Sequence, residues 1–210
     1  MTRRFLDLTT TPGVIEARKA LGSFAAYDGP SAGPASDLLT GEEDAFIAAR
    51  DSFYLASVSE TGWPYVQHRG GPPGFLKVVD ATTLAFADFR GNRQYLSLGN
   101  VTADGRVALI LMDYPNRRRL KVLGRMTVRD LSNDPDLAAR LALPDYRARV
   151  ERAFVIQVEA FDWNCPQHIT PRFTLPEIDT ATAPLRARLA ALEAENQGLR
   201  DRLAATSSES

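Results

Sequence analysis

The central part of the chain alternates apolar and polar residues in short runs, and each run ends at a cluster of turn-forming residues. Phe53-Tyr54-Leu55-Ala56-Ser57-Val58 is followed by Ser59-Glu60-Thr61-Gly62, a hairpin-type turn, and then by Pro64 to Arg69. Phe75 to Val79 and Thr83 to Asp88 flank Asp80-Ala81-Thr82, a second tight turn. Val107 to Asp113 is almost wholly apolar, which predicts a strand buried on both faces. From Leu120 to Asp130, alternation puts Leu120, Val122, Gly124, Met126 and Val128 on one side and Lys121, Arg125, Thr127 and Arg129 mostly on the other. A last strand is expected from Phe154 to Phe161. Six or seven short strands joined by hairpins, with few helices, predict a mainly β (α+β) chain: a closed or partly closed antiparallel barrel with flanking short helices.

The helical signals are local. Thr11-Pro12 pairs a capping residue with proline at the first helical position and leads into Val14 to Leu21. Thr40-Gly41-Glu42-Glu43 is a capping-box pattern, opening a helix through about Ala49 with Phe46 and Ala49 inward. Two short stretches, Pro135 to Leu141 and Asp145 to Arg152, also read as helical, and Asp28 to Ser36 as an irregular connection. Near the end, Leu185, Leu189, Leu192, Asn196, Leu199 and Leu203 form an a/d heptad seam with Asn196 at an a position. That pattern suits a short parallel coiled coil, and its continuity favours self-association over a single amphipathic helix lying on the barrel. The expected organisation is an arm over 1–39, a barrel over 40–175 and a coiled-coil helix over 182–205, with Thr206 to Ser210 disordered.

Charge sharpens the picture. The window Trp63 to Arg125 holds ten Arg and Lys against four Asp, a net +6, whereas the whole chain is −1. Positive charge concentrated in one segment of an otherwise acidic chain points to an anionic ligand, with phosphate the first candidate. A single cysteine, Cys165, excludes an intramolecular disulfide framework and fits a reducing compartment. No apolar run is long enough to span a membrane. Thr2-Arg3-Arg4-Phe5-Leu6 has the outline of a twin-arginine signal but no apolar segment follows it, so a cytoplasmic protein is expected. Gly70-Gly71-Pro72-Pro73-Gly74 lacks the Lys and Ser/Thr of a P-loop and reads as a shaped loop. Two histidines without accompanying Cys or carboxylate spacing make a weak metal site, and none is expected.

The segments also fall in a familiar order. Gln67-His68-Arg69 ends one strand, and Thr83 to Asp88 forms another. Gly91-Asn92-Arg93-Gln94 opens a helix through Leu98-Gly99-Asn100, the apolar strand at Val107 follows, and Arg118-Arg119-Leu120-Lys121-Val122-Leu123-Gly124 comes last. Over roughly Thr40 to Arg172 this order resembles the pyridoxamine 5'-phosphate oxidase superfamily, flavin-binding split barrels that form homodimers. Within it the chain is most similar to predicted flavin-nucleotide-binding proteins with a late Asn-Cys-Pro-Gln-His-Ile segment, here Asn164 to Ile169. The oxidase proper has Ser-Arg-Lys where this chain has Asn92-Arg93-Gln94, and its terminal Arg-x-His has no counterpart here. FMN binding therefore carries over better than pyridoxamine phosphate oxidation.

The resemblance implies a cofactor site built from Gln67, His68, Arg69, Asp88, Arg90, Gly91, Asn92, Arg93, Gln94, Arg118, Arg119, Trp163, Gln167 and His168. It places the flavin at the dimer interface. A helix opening near Asn92 would present free N–H groups to a phosphate, with Arg90, Arg93 and either Arg118 or Arg119 as clamps. Gln67, His68 and Arg69 would lie along the isoalloxazine edge, and His68 is the candidate proton-transfer group. The expected activity is two-electron oxidoreduction at flavin N5 on a small-molecule substrate. A non-catalytic flavin carrier or sensor with a partner-docking tail is the alternative, and a deazaflavin or haem in place of FMN stays open. Nucleic-acid binding is disfavoured, because the residues preceding the seam, Glu177 to Pro184, are acidic and proline-broken rather than basic.

Overall fold

The computed structural model describes residues 3–23, 37–163 and 166–208, and Asn164, Cys165 and the whole of the Asp28–Ser36 connection lie outside them. Two compact units are present, Met1–Ile169 and Thr170–Ser210. The first contains α1 (Arg3–Thr9), α2 (Pro12–Ala20), α3 (Gly41–Ala48), β1 (Ser52–Val58), β2 (Pro64–Gly70), β3 (Leu76–Asp80) and β4 (Thr83–Phe89). It continues with α4 (Leu96–Ala103), β5 (Arg106–Asp113), β6 (Arg118–Arg129), α5 (Pro135–Leu141) and β7 (Val150–Trp163). The second unit is dominated by α6 (Leu175–Ser208).

Seven antiparallel strands form one sheet in the order β2-β1-β5-β6-β7-β4-β3, and it does not close. The sheet coils so that its two ends face each other. Phe53 of β1 stacks on Phe75 at 5.5 Å and meets Phe86 of β4 edge-on at 5.2 Å, although β1 and β4 are not neighbours in the sheet. The core fills the concave side: Leu55, Leu109, Leu111, Leu120, Val122 and Ile156 are fully buried there. Coiling needs a local irregularity, which Gly124 supplies at the β6–β7 bulge. A Cβ on Gly124 would sit 2.5 Å from the Gln157 carbonyl oxygen, so only glycine fits.

The expected caps form. Thr40 and Glu43 make a reciprocal capping box on α3, Thr11 accepts from the Val14 amide at the start of α2, and Asp134 accepts from Leu137 on α5. On α3, Phe46 and Ile47 turn inward, while Ala49 is the exposed C-cap.

Four expectations are corrected. Val107 to Asp113 is buried on one face only: Val107, Leu109, Leu111 and Asp113 point inward, and Ile110 is 39% exposed. Asp145 to Arg152 is not a helix, because β7 already starts at Val150 and sets Arg152 directly opposite Asp88 in the β4–β7 ladder. Strand β7 is consequently longer than Phe154 to Phe161. The helix expected from Gly91–Gln94 starts only at Leu96, since Arg93 (φ 63°) and Tyr95 (φ 56°) are left-handed and a right-handed helix cannot contain them. Finally, α6 runs unbroken through Pro184 to Ser208, starting at a Thr174–Glu177 cap. Lacking an N–H, Pro184 leaves the Thr180 carbonyl without its helical donor but does not end the helix.

Candidate functional site

Strand alternation decides which β2 side chains share a site. Tyr65, Gln67 and Arg69 face one way, and Val66 and His68 the other. The first set meets the end of β4, the 90–95 loop and the first turn of α4 around a cleft of about 230 Å³. Gln67, Arg69, Asp88, Gly91, Asn92, Arg93 and Gln94 line it, joined by Tyr95, Ser97 and Glu151.

Three of its lining residues, Arg69, Asp88 and Glu151, belong to a chain of alternating charge. Arg69 Nη1 donates to Asp88 Oδ1 at 2.8 Å, Arg152 lies 3.5 Å from Asp88 Oδ2, Glu151 lies 3.1 Å from Arg152, and Arg90 lies 3.7 Å from Glu151. Aromatic faces hold the guanidiniums in place: Arg69 lies over Phe154 at 5.4 Å and Arg152 over Tyr95 at 5.0 Å. Burial pushes the Asp88 carboxyl above the usual carboxylate range, and Arg69 followed by Arg152 opposes that push without cancelling it. Arg69 Nε and Arg152 Nη1 are buried with no hydrogen-bond partner. With Arg69, Arg90, Arg93 and Arg152 against Asp88 and Glu151, the surroundings of the cleft retain donor capacity.

The loop above is shaped for an anion. Asn92 accepts from the Gln94 amide, closing a local turn, and Arg93 (φ 63°) and Tyr95 (φ 56°) are left-handed, the conformation from which anion-binding backbone concavities are built. Tyr95 gives α4 no side-chain cap, so the first-turn N–H groups of this helix have no side-chain partner. A Cβ on Gly91 would meet no protein atom, which leaves open space beside the loop. A hydrogen bond with Tyr95 holds Arg93 more firmly protonated. Ser97 donates to Gln67 Oε1 at 2.7 Å, which fixes the amide and leaves its NH₂ for another acceptor.

The remaining expected residues lie elsewhere. His68 sits on the other face of β2, edge-on to Tyr54 at 5.6 Å. Arg90 joins the charge chain through Glu151 but does not line the cleft. Arg118 donates to Glu42 at 2.5 Å and lies over the Trp163 ring at 4.3 Å. Trp163 Nε1 in turn donates to Glu43 at 2.7 Å. Burial pushes the Glu43 carboxyl up, but hydrogen bonds from Thr40 and Trp163 outweigh it and hold the group below its ordinary value. Arg119 carries a buried Nε without a partner, away from the cleft lining. Gln167 and His168 occupy an exposed turn after β7, with His168 left-handed at φ 63°. The glycine-rich loop is structural: Gly71 bonds the Asp51 carbonyl and packs under Phe75.

The profile of the pyridoxamine 5'-phosphate oxidase family matches residues 39–164, more than half of the chain and the whole of the sheet. The chain belongs to this family. No curated protein matches the sequence. Similar solved structures include a putative pyridoxamine 5'-phosphate oxidase from Lactobacillus delbrueckii, 22% identical over 60% of this chain and 93% of that one, with a TM-score of 0.45. An FMN-binding protein from Syntrophomonas wolfei is 15% identical over 57% of this chain and 81% of that one, with a TM-score of 0.45. HutZ, the heme storage protein from Vibrio cholerae, is 14% identical over 60% of this chain and 94% of that one, with a TM-score of 0.38.

Within this oxidase-family fold, sequence reasoning missed Arg152, Glu151, Tyr95 and Ser97. The signal for Arg152 was an opposite charge directly across the ladder from Asp88, visible only once β4 and β7 are known to pair. No membrane-crossing helix occurs among the described residues.

Proposed function

We propose that this oxidase-family chain binds FMN in the cleft, as a homodimer, and acts as a two-electron oxidoreductase on a small molecule. One observation carries the reading: Gln67, Arg69, Asp88 and the Gly91–Gln94 loop, distant in sequence, converge beside the uncapped first turn of α4. The donor set fits a phosphate monoester. Arg93, the left-handed loop amides and the α4 amides would hold the phosphate, while Arg69, which lines the cleft, keeps a buried Nε without a hydrogen-bond partner. Gln67, clamped by Ser97, would donate to the isoalloxazine edge and orient it. Bound FMN would supply the hydride acceptor or donor at N5.

The cleft of about 230 Å³ is smaller than the roughly 300–1,000 Å³ of complete small-ligand pockets. On this reading a second protein surface covers the rest of the cofactor. The convex face of β1, β2 and β5 offers one, with Val66 61% and Tyr54 42% exposed. A second copy docking there would be the source of contacts from His68, Arg118, Arg119, Trp163, Gln167 or His168 that one chain does not bring to its own cleft.

A second reading, a flavin carrier or sensor without turnover, draws on a specific feature. The acids of the cleft, Asp88 and Glu151, are tied to arginines, and His68 faces away, so neither a cleft carboxylate nor this histidine is disengaged for proton transfer there. A visible spectrum of the purified protein tests the shared part of both readings. A two-band flavin spectrum that releases FMN on denaturation supports it, whereas a haem or deazaflavin spectrum, or no uptake on titration, overturns it. Reoxidation and reduction of bound FMN by candidate substrates then separates enzyme from carrier.

A further inference from the structure

Helix α6 carries an apolar stripe that nothing in its own unit covers. In heptad register, the a positions are Leu175, Thr182, Leu189, Asn196 and Leu203. The d positions are Ile178, Leu185, Leu192 and Leu199. The stripe therefore begins ten residues, nearly three turns, before the Leu185–Leu203 seam. Its apolar members are between 42% and 76% exposed, including Leu185 at 71% and Leu189 at 57%. Pro184 and Gly198, the two poorest helix formers, both fall at c positions on the opposite, outward face. An isolated helix containing both is weak and depends on burial of its stripe.

The charges flanking the stripe identify the occupant. In a parallel pair, each g residue faces the e residue of the following heptad on the other helix. Here Arg188 (g) would face the partner's Glu193 (e), and Glu195 (g) would face the partner's Arg200 (e). Both pairs are attractive, and symmetry forms each twice. Among the described residues these four side chains make no ion pair within their own chain, whereas Arg186 is already engaged with Asp179 at 3.0 Å. Asn196 adds orientation. In a parallel, in-register pair it meets its own symmetry mate and the two amides hydrogen-bond. In an antiparallel pair, a faces d, and its amide would be buried against leucine without a partner.

We infer that α6 is one strand of a parallel, in-register two-stranded coiled coil formed with a second copy of this chain, with Asn196 paired to Asn196. This does not rest on the flavin reading and holds or fails without it.

Disulfide cross-linking of the full chain tests it. In a Cys165→Ser background, Ile178→Cys and Leu199→Cys place single thiols at two d positions 21 residues apart, about 31 Å along the helix. Each variant alone is expected to oxidise to a covalent dimer, with an outward Gln197→Cys control remaining uncross-linked. In the Leu199→Cys protein, Glu195→Arg should lower the cross-linked yield about tenfold, and adding Arg200→Glu should restore it, as expected for lost and regained surface attractions counted twice. A disulfide found only between mixed Ile178→Cys (d) and Leu203→Cys (a) chains means an antiparallel pair and overturns the inference. Absence of any cross-link, with helix content retained by circular dichroism, assigns the stripe to a different partner and overturns it as well.

Discussion

Two arginine-bearing regions of this protein look alike in sequence and differ in use. Around the β2–β4–α4 cleft, Arg69, Arg90, Arg93 and Arg152 face two acids, and buried guanidinium atoms remain without hydrogen-bond partners. At the start of β6, Arg118 is consumed internally: Glu42 takes its charge, and Trp163 and Phe46 take its faces. That second cluster ties α3 to β6 and β7, with Arg50 adding a bond to the Met112 carbonyl of β5 and an ion pair to Asp113. The difference teaches that the number of arginines does not mark a ligand site. What marks it is left-over donor capacity that converges with other polar groups on open space, since Arg119 at the start of β6 also keeps a buried Nε without a hydrogen-bond partner but lies away from the cleft lining.

The sharpest way to break the contrast is to remove a cleft arginine that also holds the fold. Arg69→Met leaves Asp88, only 7% exposed, facing Arg152 alone. The expected loss is about 3 kcal/mol of stability, the low end for a broken buried pair because one arginine remains. Denaturant unfolding checks it, and a loss within experimental error would mean that Arg69 is not needed by Asp88. Since burial already raises this carboxyl, removing Arg69 should raise it further. A raised carboxyl favours folding at low pH, so the variant's stability should fall more steeply than the wild type's as pH rises above about 4.

Arg93→Ala removes an exposed cation and disturbs no buried pair. It should weaken FMN binding by about 1.5–3 kcal/mol, the worth of one charge-assisted hydrogen bond, while leaving the melting temperature nearly unchanged. Glu43→Gln probes the structural cluster. Glu43 is held below its ordinary value of 4.5, so its contribution is present above that pH and is lost as pH falls through the lower folded value. The variant should lose about 1 kcal/mol near neutral pH and show a shallower acid-side decline in a pH series of thermal melts. Arg118→Ala should cost under about 1 kcal/mol of stability. By the contrast drawn above, it should also move FMN affinity less than Arg93→Ala does; an equal loss would place Arg118 at the flavin from a second copy.

Much of the barrel was legible because alternation and turn chemistry are local. The β1–β2 and β3–β4 hairpins, the Thr40–Glu43 cap and the inward face of β6 all follow from residues within one or two turns of each other. What was not legible depends on distant partners. Arg152 reads as the end of a charged helical stretch until Asp88 is known to lie across from it. The outer face of β5 looks like core until the sheet is seen to leave Ile110 uncovered. The late start of α4 depends on two left-handed non-glycine residues, Arg93 and Tyr95, a strain with no signature in residue type. The cleft half of the expected site was found because its residues cluster in three short segments. The half that one chain does not bring there includes His68, whose place on the far face follows from the same alternation that put Gln67 and Arg69 in the cleft.

The most direct measurement is an FMN titration of the full chain, followed by absorbance and flavin fluorescence, with wild type, Arg93→Ala and Arg118→Ala side by side. The account predicts saturable binding by the wild type, at least about tenfold weaker binding by Arg93→Ala, and a smaller change in Arg118→Ala. Wild-type protein that takes up no FMN, or an Arg93→Ala variant that binds as the wild type does, would contradict the assignment of the cleft as the flavin phosphate site.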